Sequence, residues 1–290
     1  MPLTLIHGEF RVIGASPDGD SIRFYPTNPN VWDDVPISVR ANAHGGVQLR
    51  LDAIDALETH YTPRSSPHPW RQNPELGDAA ATAHLSMLGF DDVIRDEQEI
   101  VTSASPETRP GAILTRFADK YGRAVAVVFP EDQQPQGADA SPVFLDSDGL
   151  KKSVNFRLLE AGWVYPTFYS QLFYDLRNVL ADTARDARAN GEGLWATDST
   201  NAGFTLQSRE QLTTELIILP KLFRRLAEYL VLDDTGGVNL DGFQAFLEAK
   251  ADRLFTVPAG QATHFDTLIE QDGQMLRLTL PPEQVVFIEA

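Results

Sequence analysis

Residues 9–25 constrain the fold more than any other stretch. Phe10, Val12 and Ile13 precede Ser16-Pro17-Asp18-Gly19-Asp20, and Ile22, Phe24 and Tyr25 follow it. Two β-rich runs around a turn of Pro, Asp and Gly predict an antiparallel hairpin. A third strand is predicted over 47–55, with Val47, Leu49 and Leu51 on one face and Gln48, Arg50 and Asp52 on the other.

The residues between and after these strands complete the plan. Residues 26–46 are rich in Pro, Asn, Asp and Gly and read as a long excursion at the hairpin's outer edge. The run 61–74 (YTPRSSPHPWRQNP) carries so many prolines that it is expected to be a surface loop. Helical spacing of Leu76, Ala80, Ala83, Met87 and Leu88 predicts a helix over 75–89. Strands are expected near 98–103, 112–118 and 123–129, then an insertion at 130–148. Helices are expected at about 150–161 and 170–190, the second closed by Asn190-Gly191. From about residue 204 the character changes. Residues 208–231 read as an amphipathic helix broken or kinked by Pro220, 240–252 as another helix, and 254–290 as short strands. The expected division is therefore a domain over 1–203 and a smaller, mainly helical module over 204–290.

Composition narrows the function classes. With 42% hydrophobic and 22% charged residues, the chain is an ordinary globular protein rather than a disordered or fibrous one. It has no cysteine, which removes disulfides, Cys-ligated metals and thiol nucleophiles. Its formal charge is 24 − 41 = −17, which argues against tight binding to nucleic acid, because phosphate contacts depend on Lys and Arg. The six histidines show no ligand spacing, so zinc is not expected. The N-terminal MPLTLIHGEFRVIG lacks a basic segment followed by a long apolar one, and no stretch is long enough to span a bilayer. The chain is expected to be cytoplasmic, without a membrane partner.

Four short segments carry the chemistry. They are Asp18-Gly-Asp-Ser21 in the hairpin turn, Arg50-Leu-Asp-Ala-Ile-Asp-Ala-Leu-Glu-Thr59 at the end of the third strand, Asp119-Lys-Tyr-Gly-Arg123, and Gly193-Leu-Trp-Ala196 behind a long helix. Val154-Asn155, Leu158, Gly162-Trp163, Tyr165 and Tyr169 fall in the same frame. In this order, residues from about 8 to 200 resemble the staphylococcal (thermonuclease-like) nuclease family. The resemblance implies an α+β fold, an OB-type five-stranded β-barrel with three helices.

It also implies roles. Asp20 and Asp55 match the family's calcium-binding carboxylates, with the carbonyl of Ala56 expected to help. Asp18 is expected to shape the turn. Glu58 matches the glutamate that activates the attacking water, and Arg50 and Arg123 match the arginines that grip the phosphate. Tyr121, Tyr165 and Tyr169 are candidates for stacking on bases. Phosphodiester hydrolysis asks for this kit on chemical grounds: a cation on the non-bridging oxygens, an aimed water, and donors that strengthen as charge accumulates. Arginine suits the last task because its planar fork binds phosphate bidentately and keeps its proton.

One position departs from the pattern. Leu57 stands where the family usually has Pro just before the glutamate, which puts the aim of Glu58 in question. The implied function is calcium-dependent cleavage of DNA or RNA with low sequence specificity. The alternative is a non-catalytic OB-fold module that binds nucleic acid or protein. In the C-terminal part, Leu232–Phe243 resembles an EF-hand loop, but Val231 and Gly242 fall where acidic ligands are required, so a helix–helix turn is the better reading. Lys221-Leu-Phe-Arg-Arg225 is the only local basic cluster there and reads as a solvated helix face.

Overall fold

The computed structural model describes residues 2–232 and 236–289. The chain divides into two compact units, one of residues 1–54 and 80–158, the other of 55–79 and 159–290.

The first unit is built on a closed barrel. Its strands are β1 (Leu3–Arg11), β2 (Ser21–Pro26), β3 (Val47–Leu51), β4 (Thr108–Ala118) and β5 (Ala124–Pro130). They pair in the order β2-β3-β5-β4-β1, and β1 closes on β2. All pairs are antiparallel except β3–β5, where Leu49 lies opposite Ala124 and Leu51 opposite Ala126. The hairpin read from the sequence is present, with Phe10 opposite Phe24 and their rings 5.3 Å apart in the barrel core. Leu5, Ile6, Ile22, Phe24, Leu49 and Phe129 are all buried, Leu5 and Ile6 on opposite faces of β1. A short helical turn, Val31–Asp34, sits in the excursion, and a hairpin of Asp91–Arg95 with Val101–Ser105 extends the strand expected near 98–103.

The longer helices that accompany the barrel sequence are α1 (Pro74–Met87), α2 (Val154–Glu160) and α3 (Tyr174–Asn190). The division between units falls inside α1 and α2. At the start of α2, buried Asn155 donates to the carbonyls of Asp52 (2.9 Å) and Ala126 (3.0 Å) and accepts from Val128 N–H (2.9 Å). One amide thereby bonds backbone groups of two chain segments. Gly191 caps α3 in the left-handed conformation, as its position predicts.

The second unit does not respect the expected break at 203/204, since residues 159–203 belong to it together with the C-terminal region. The reason is a shared core. Leu57, Tyr165, Ala187, Leu194 and Trp195 are buried in one cluster with Leu212, Leu222, Phe223, Leu226, Phe243 and Leu276. The Gly-Leu-Trp segment enters this core by close backbone contact: Leu194 N–H donates to Gly162 O (2.9 Å), and a Cβ on Gly193 would lie 2.4 Å from that oxygen. Only glycine fits there.

The C-terminal region carries both helices and short strands. Helix α4 (Pro220–Leu230) and helix α5 (Phe243–Lys250) accompany an antiparallel pair, Ile269–Asp272 with Met275–Leu278, and a sheet that joins Phe168–Tyr169, Val285–Phe287, Arg253–Thr256 and Ala262–His264. The single helix expected over 208–231 is two, Arg209–Thr214 and α4. Pro220 opens the second rather than kinking one helix, because proline suits the first turn, where no N–H donor is needed. Asp233, Asp234 and Thr235 of the loop resembling an EF hand lie outside the described residues. Among the described residues, no helix is long and apolar enough to cross a membrane.

Candidate active site

In the first unit, β2 and β3 bring two expected site residues into adjacent register. Asp20 immediately precedes Ser21, which lies opposite Arg50, and Leu51 N–H donates to Asp20 O at 2.8 Å. Asp20 is 7% exposed. The Asp18 carboxylate accepts from Asp20 N–H at 3.1 Å, an Asx turn that fixes the acidic bend. Beneath it, fully buried His84 on α1 bonds the Asp18 carbonyl through Nδ1 (2.7 Å). Burial lowers the His84 pKa, with the Asp18 carbonyl working against the shift. Sequence spacing could not flag His84, because its partner is a backbone carbonyl 66 residues away.

Arg123 starts the approach to β5, and Val125 lies opposite Arg50 in the parallel ladder. The Asp119 carboxylate accepts from Tyr121 N–H (2.9 Å), Arg123 N–H (3.0 Å) and Arg123 Nε (2.7 Å), so a single side chain organises the whole Asp-Lys-Tyr-Gly-Arg turn. Tyr121 is 64% exposed, and the Arg123 guanidinium lies 5.6 Å from its ring centre. An exposed ring beside a cation has the chemistry to stack on a base.

The second unit holds Asp55, Ala56, Glu58, Tyr165 and Tyr169. Asp55 is 1% exposed and Ala56 is buried. Leu57 is buried in the second unit's core, which explains its presence where proline is usual: the slot is an apolar packing position. The stiffness that proline would supply comes from elsewhere. Buried Gln72 accepts from Glu58 N–H (3.1 Å), donates its own N–H to Glu58 O (2.6 Å), and donates Nε2–H to Ile218 O (2.8 Å).

The acids themselves meet a cation that sequence reasoning missed. Arg224 on α4 donates from Nη2 to Asp55 Oδ2 (2.6 Å) and from Nη1 to Asp55 Oδ1 (3.2 Å), and Nη1 also donates to Glu58 Oε1. Burial disfavours the guanidinium charge, but Asp55 and then Glu58 outweigh it and hold Arg224 protonated with a pKa well above its ordinary value. The reading of Lys221–Arg225 as a solvated face is therefore corrected. Arg225 forks onto Asp252 (2.6 and 2.7 Å) and reaches Glu228 (2.9 Å), while Lys221 pairs with Asp252 at 2.9 Å. Lys250 and the Tyr61 hydroxyl also donate to Glu228, at 2.8 and 2.7 Å. Leu222, Phe223, Leu226, Ala227 and Leu230 are buried on the same helix, so α4 is held on its polar and apolar faces alike. The missed signal was the i, i+3, i+4 spacing of Lys221, Arg224, Arg225 and Glu228 on one face, which reads identically for a solvated helix.

Tyr165 is fully buried. Its hydroxyl donates to Asp198 (2.7 Å) and its ring packs edge-on to Trp195 at 5.0 Å. A ring without solvent-facing surface cannot stack on a base, so the substrate role expected of Tyr165 is withdrawn. Tyr169 is partly buried, with its ring 6.0 Å from that of Phe287.

The donor chemistry expected for calcium is a set of hard oxygens. Among the described residues, no group of three or more His, Asp or Glu is arranged to hold a metal ion, and both Asp55 oxygens accept from Arg224. As folded, the acids on the second unit fit a guanidinium, not a divalent ion.

A closed barrel of this strand order with accompanying helices defines an OB-type α+β protein of the nuclease-like kind. The family model described as staphylococcal nuclease homologue matches residues 48–197, and the chain belongs to that family. No curated protein matches the chain. Family membership implies a nuclease-type or nucleic-acid-binding function, with nucleic acid as the substrate class.

Proposed function

We propose that this chain is a nucleic-acid phosphodiesterase of low sequence specificity. The observation that supports the reading is the presence, in a family member, of Asp20, Arg50, Asp55, Glu58 and Arg123 in the order that the resemblance implies. In this reading Arg50 and Arg123 bind the phosphate and strengthen their hydrogen bonds as charge accumulates on its oxygens. Asp119, bonded to Arg123 Nε, orients that guanidinium and leaves its terminal nitrogens to point at substrate. Glu58 takes the proton of the attacking water, with Gln72 fixing its backbone. Tyr121 supplies a base platform that is indifferent to sequence. Calcium, which the family resemblance implies, would need Asp55, and both oxygens of that carboxylate already accept from Arg224.

The Arg224 contacts also favour a second reading, a module that binds nucleic acid without cleaving it, since Glu58 Oε1 accepts from a cation and is thereby a weaker base. Digestion of single-stranded DNA and of RNA separates the two. Cleavage by the wild-type chain or by Arg224→Gln that the added Glu58→Gln change abolishes supports the phosphodiesterase. Retention of substrate on a gel with no cleavage by either protein overturns it in favour of the binding module.

A further inference from the structure

We propose that Arg224 is the built-in cation of the Asp55–Glu58 acid pair, and that it excludes divalent metal ions from these carboxylates while α4 is docked. Calcium takes six to eight oxygen ligands. Here both oxygens of Asp55 and one of Glu58 accept from a single guanidinium, and Asp55 is 1% exposed. A metal ion at Asp55 would have to displace that guanidinium or share the pocket with it. Sharing places a double positive charge beside a single one in a water-poor site, where repulsion is strong. Binding of the two cations to this pair is therefore mutually exclusive.

The delivery of Arg224 is rigid. Its neighbours on α4 are tied on both faces: Lys221 and Arg225 bond Asp252, Arg225 and Lys250 bond Glu228, and six apolar residues of the helix are buried. The side chain thus meets its acids whenever the helix is in place. Both oxygens of Asp55 and one of Glu58 are thus already taken by the guanidinium. The C-terminal region accordingly sets which cation the acids hold. Only the activity part of this proposal rests on the phosphodiesterase reading; the exclusion of metal stands on the contacts alone.

Calcium titration calorimetry on the full chain tests it, with wild type, Arg224→Gln and the double variant Arg224→Gln/Asp55→Asn. Glutamine keeps an N–H donor near Asp55 but removes the charge and the fork. The expected result is at least a tenfold gain in Ca²⁺ affinity for Arg224→Gln, lost again in the double variant. Equal affinity in wild type and a folded Arg224→Gln overturns the proposal. So does Ca²⁺ binding by the wild type that Asp55→Asn alone abolishes, a result that does not depend on the Arg224 variants folding. If Arg224→Gln does not fold, wild type and Asp55→Asn decide the matter, and equal Ca²⁺ affinity in these two is required for the proposal to stand. Digestion of single-stranded DNA by the same proteins separates this proposal from the functional reading. Gained Ca²⁺ affinity with gained cleavage supports both, whereas gained affinity without cleavage keeps the role of Arg224 and removes the phosphodiesterase.

Discussion

Arg224 forks onto Asp55 through both terminal nitrogens, at 2.6 and 3.2 Å, across 169 residues of sequence. Asp55 is almost wholly out of solvent, so the pair is a buried one, and removing one member strands the other. Arg224→Met is expected to lower stability by about 3 kcal/mol, because an uncompensated buried carboxylate is costly. Urea unfolding measures this, and a loss below ~1 kcal/mol would mean that the pair is not held as described.

Glu58 and Arg123 differ in what they should cost when changed. Glu58→Gln keeps size and hydrogen bonding but removes the base, and should reduce cleavage by about 10²–10⁴-fold. Arg123→Ala removes a donor to the phosphate and should reduce turnover by about 10²–10³-fold, with an intact circular dichroism spectrum. Single-turnover digestion reads both, and near-wild-type rates in either variant overturn the assigned role.

Leu57 is a core residue rather than a turn residue. Leu57→Ala should cost about 2–5 kcal/mol, the usual range for emptying a buried leucine site. Restoring the family's residue with Leu57→Pro should also destabilise, since proline does not fill the same volume. A Leu57→Pro protein more stable than wild type in thermal melts would show that turn stiffness outweighs packing here.

Truncation after residue 203 removes most of the cluster that covers Leu57, Tyr165, Leu194 and Trp195. The 1–203 fragment is expected to aggregate or to bind a hydrophobic dye strongly. A monomeric fragment with a cooperative melt would instead establish the boundary expected from the sequence.

Asp252 predicts an acid limb of stability. Its own burial would raise the pKa, but the Arg225 hydrogen bond and the Lys221 charge outweigh that and take it down to about 2, from an ordinary 3.8. A carboxyl depressed on folding contributes fully above its unfolded pKa, and that contribution is lost as pH falls through the folded value. Up to about 2 kcal/mol should therefore disappear between pH 4 and pH 2. Denaturant midpoints across that window check it, and Asp252→Asn should flatten the change.

Much of the barrel was legible because its information is local. The Phe10/Phe24 hairpin, the Val47-Leu49-Leu51 face and the Gly191 cap each follow from residues a few positions apart. The spacing of Arg50, Asp55 and Glu58 was legible for the same reason, and it carried the family. What could not be read was the fate of charges that find partners far along the chain. Lys221, Arg224 and Arg225 look like a solvated face until Asp252 and Asp55 are known to lie against it. The burial of Tyr165 and the packing role of Leu57 were hidden likewise, because both depend on a core assembled from chain segments more than a hundred residues apart.

By itself the sequence determined the kind of barrel and the family, and it offered a candidate set of chemistry-bearing residues, since strand alternation, turn residues and motif spacing act over short range. Only the tertiary structure decided which cation Asp55 and Glu58 hold and where the compact units divide. Those outcomes depend on burial and on long-range ion pairing, and a buried carboxylate takes whichever positive charge the fold brings to it.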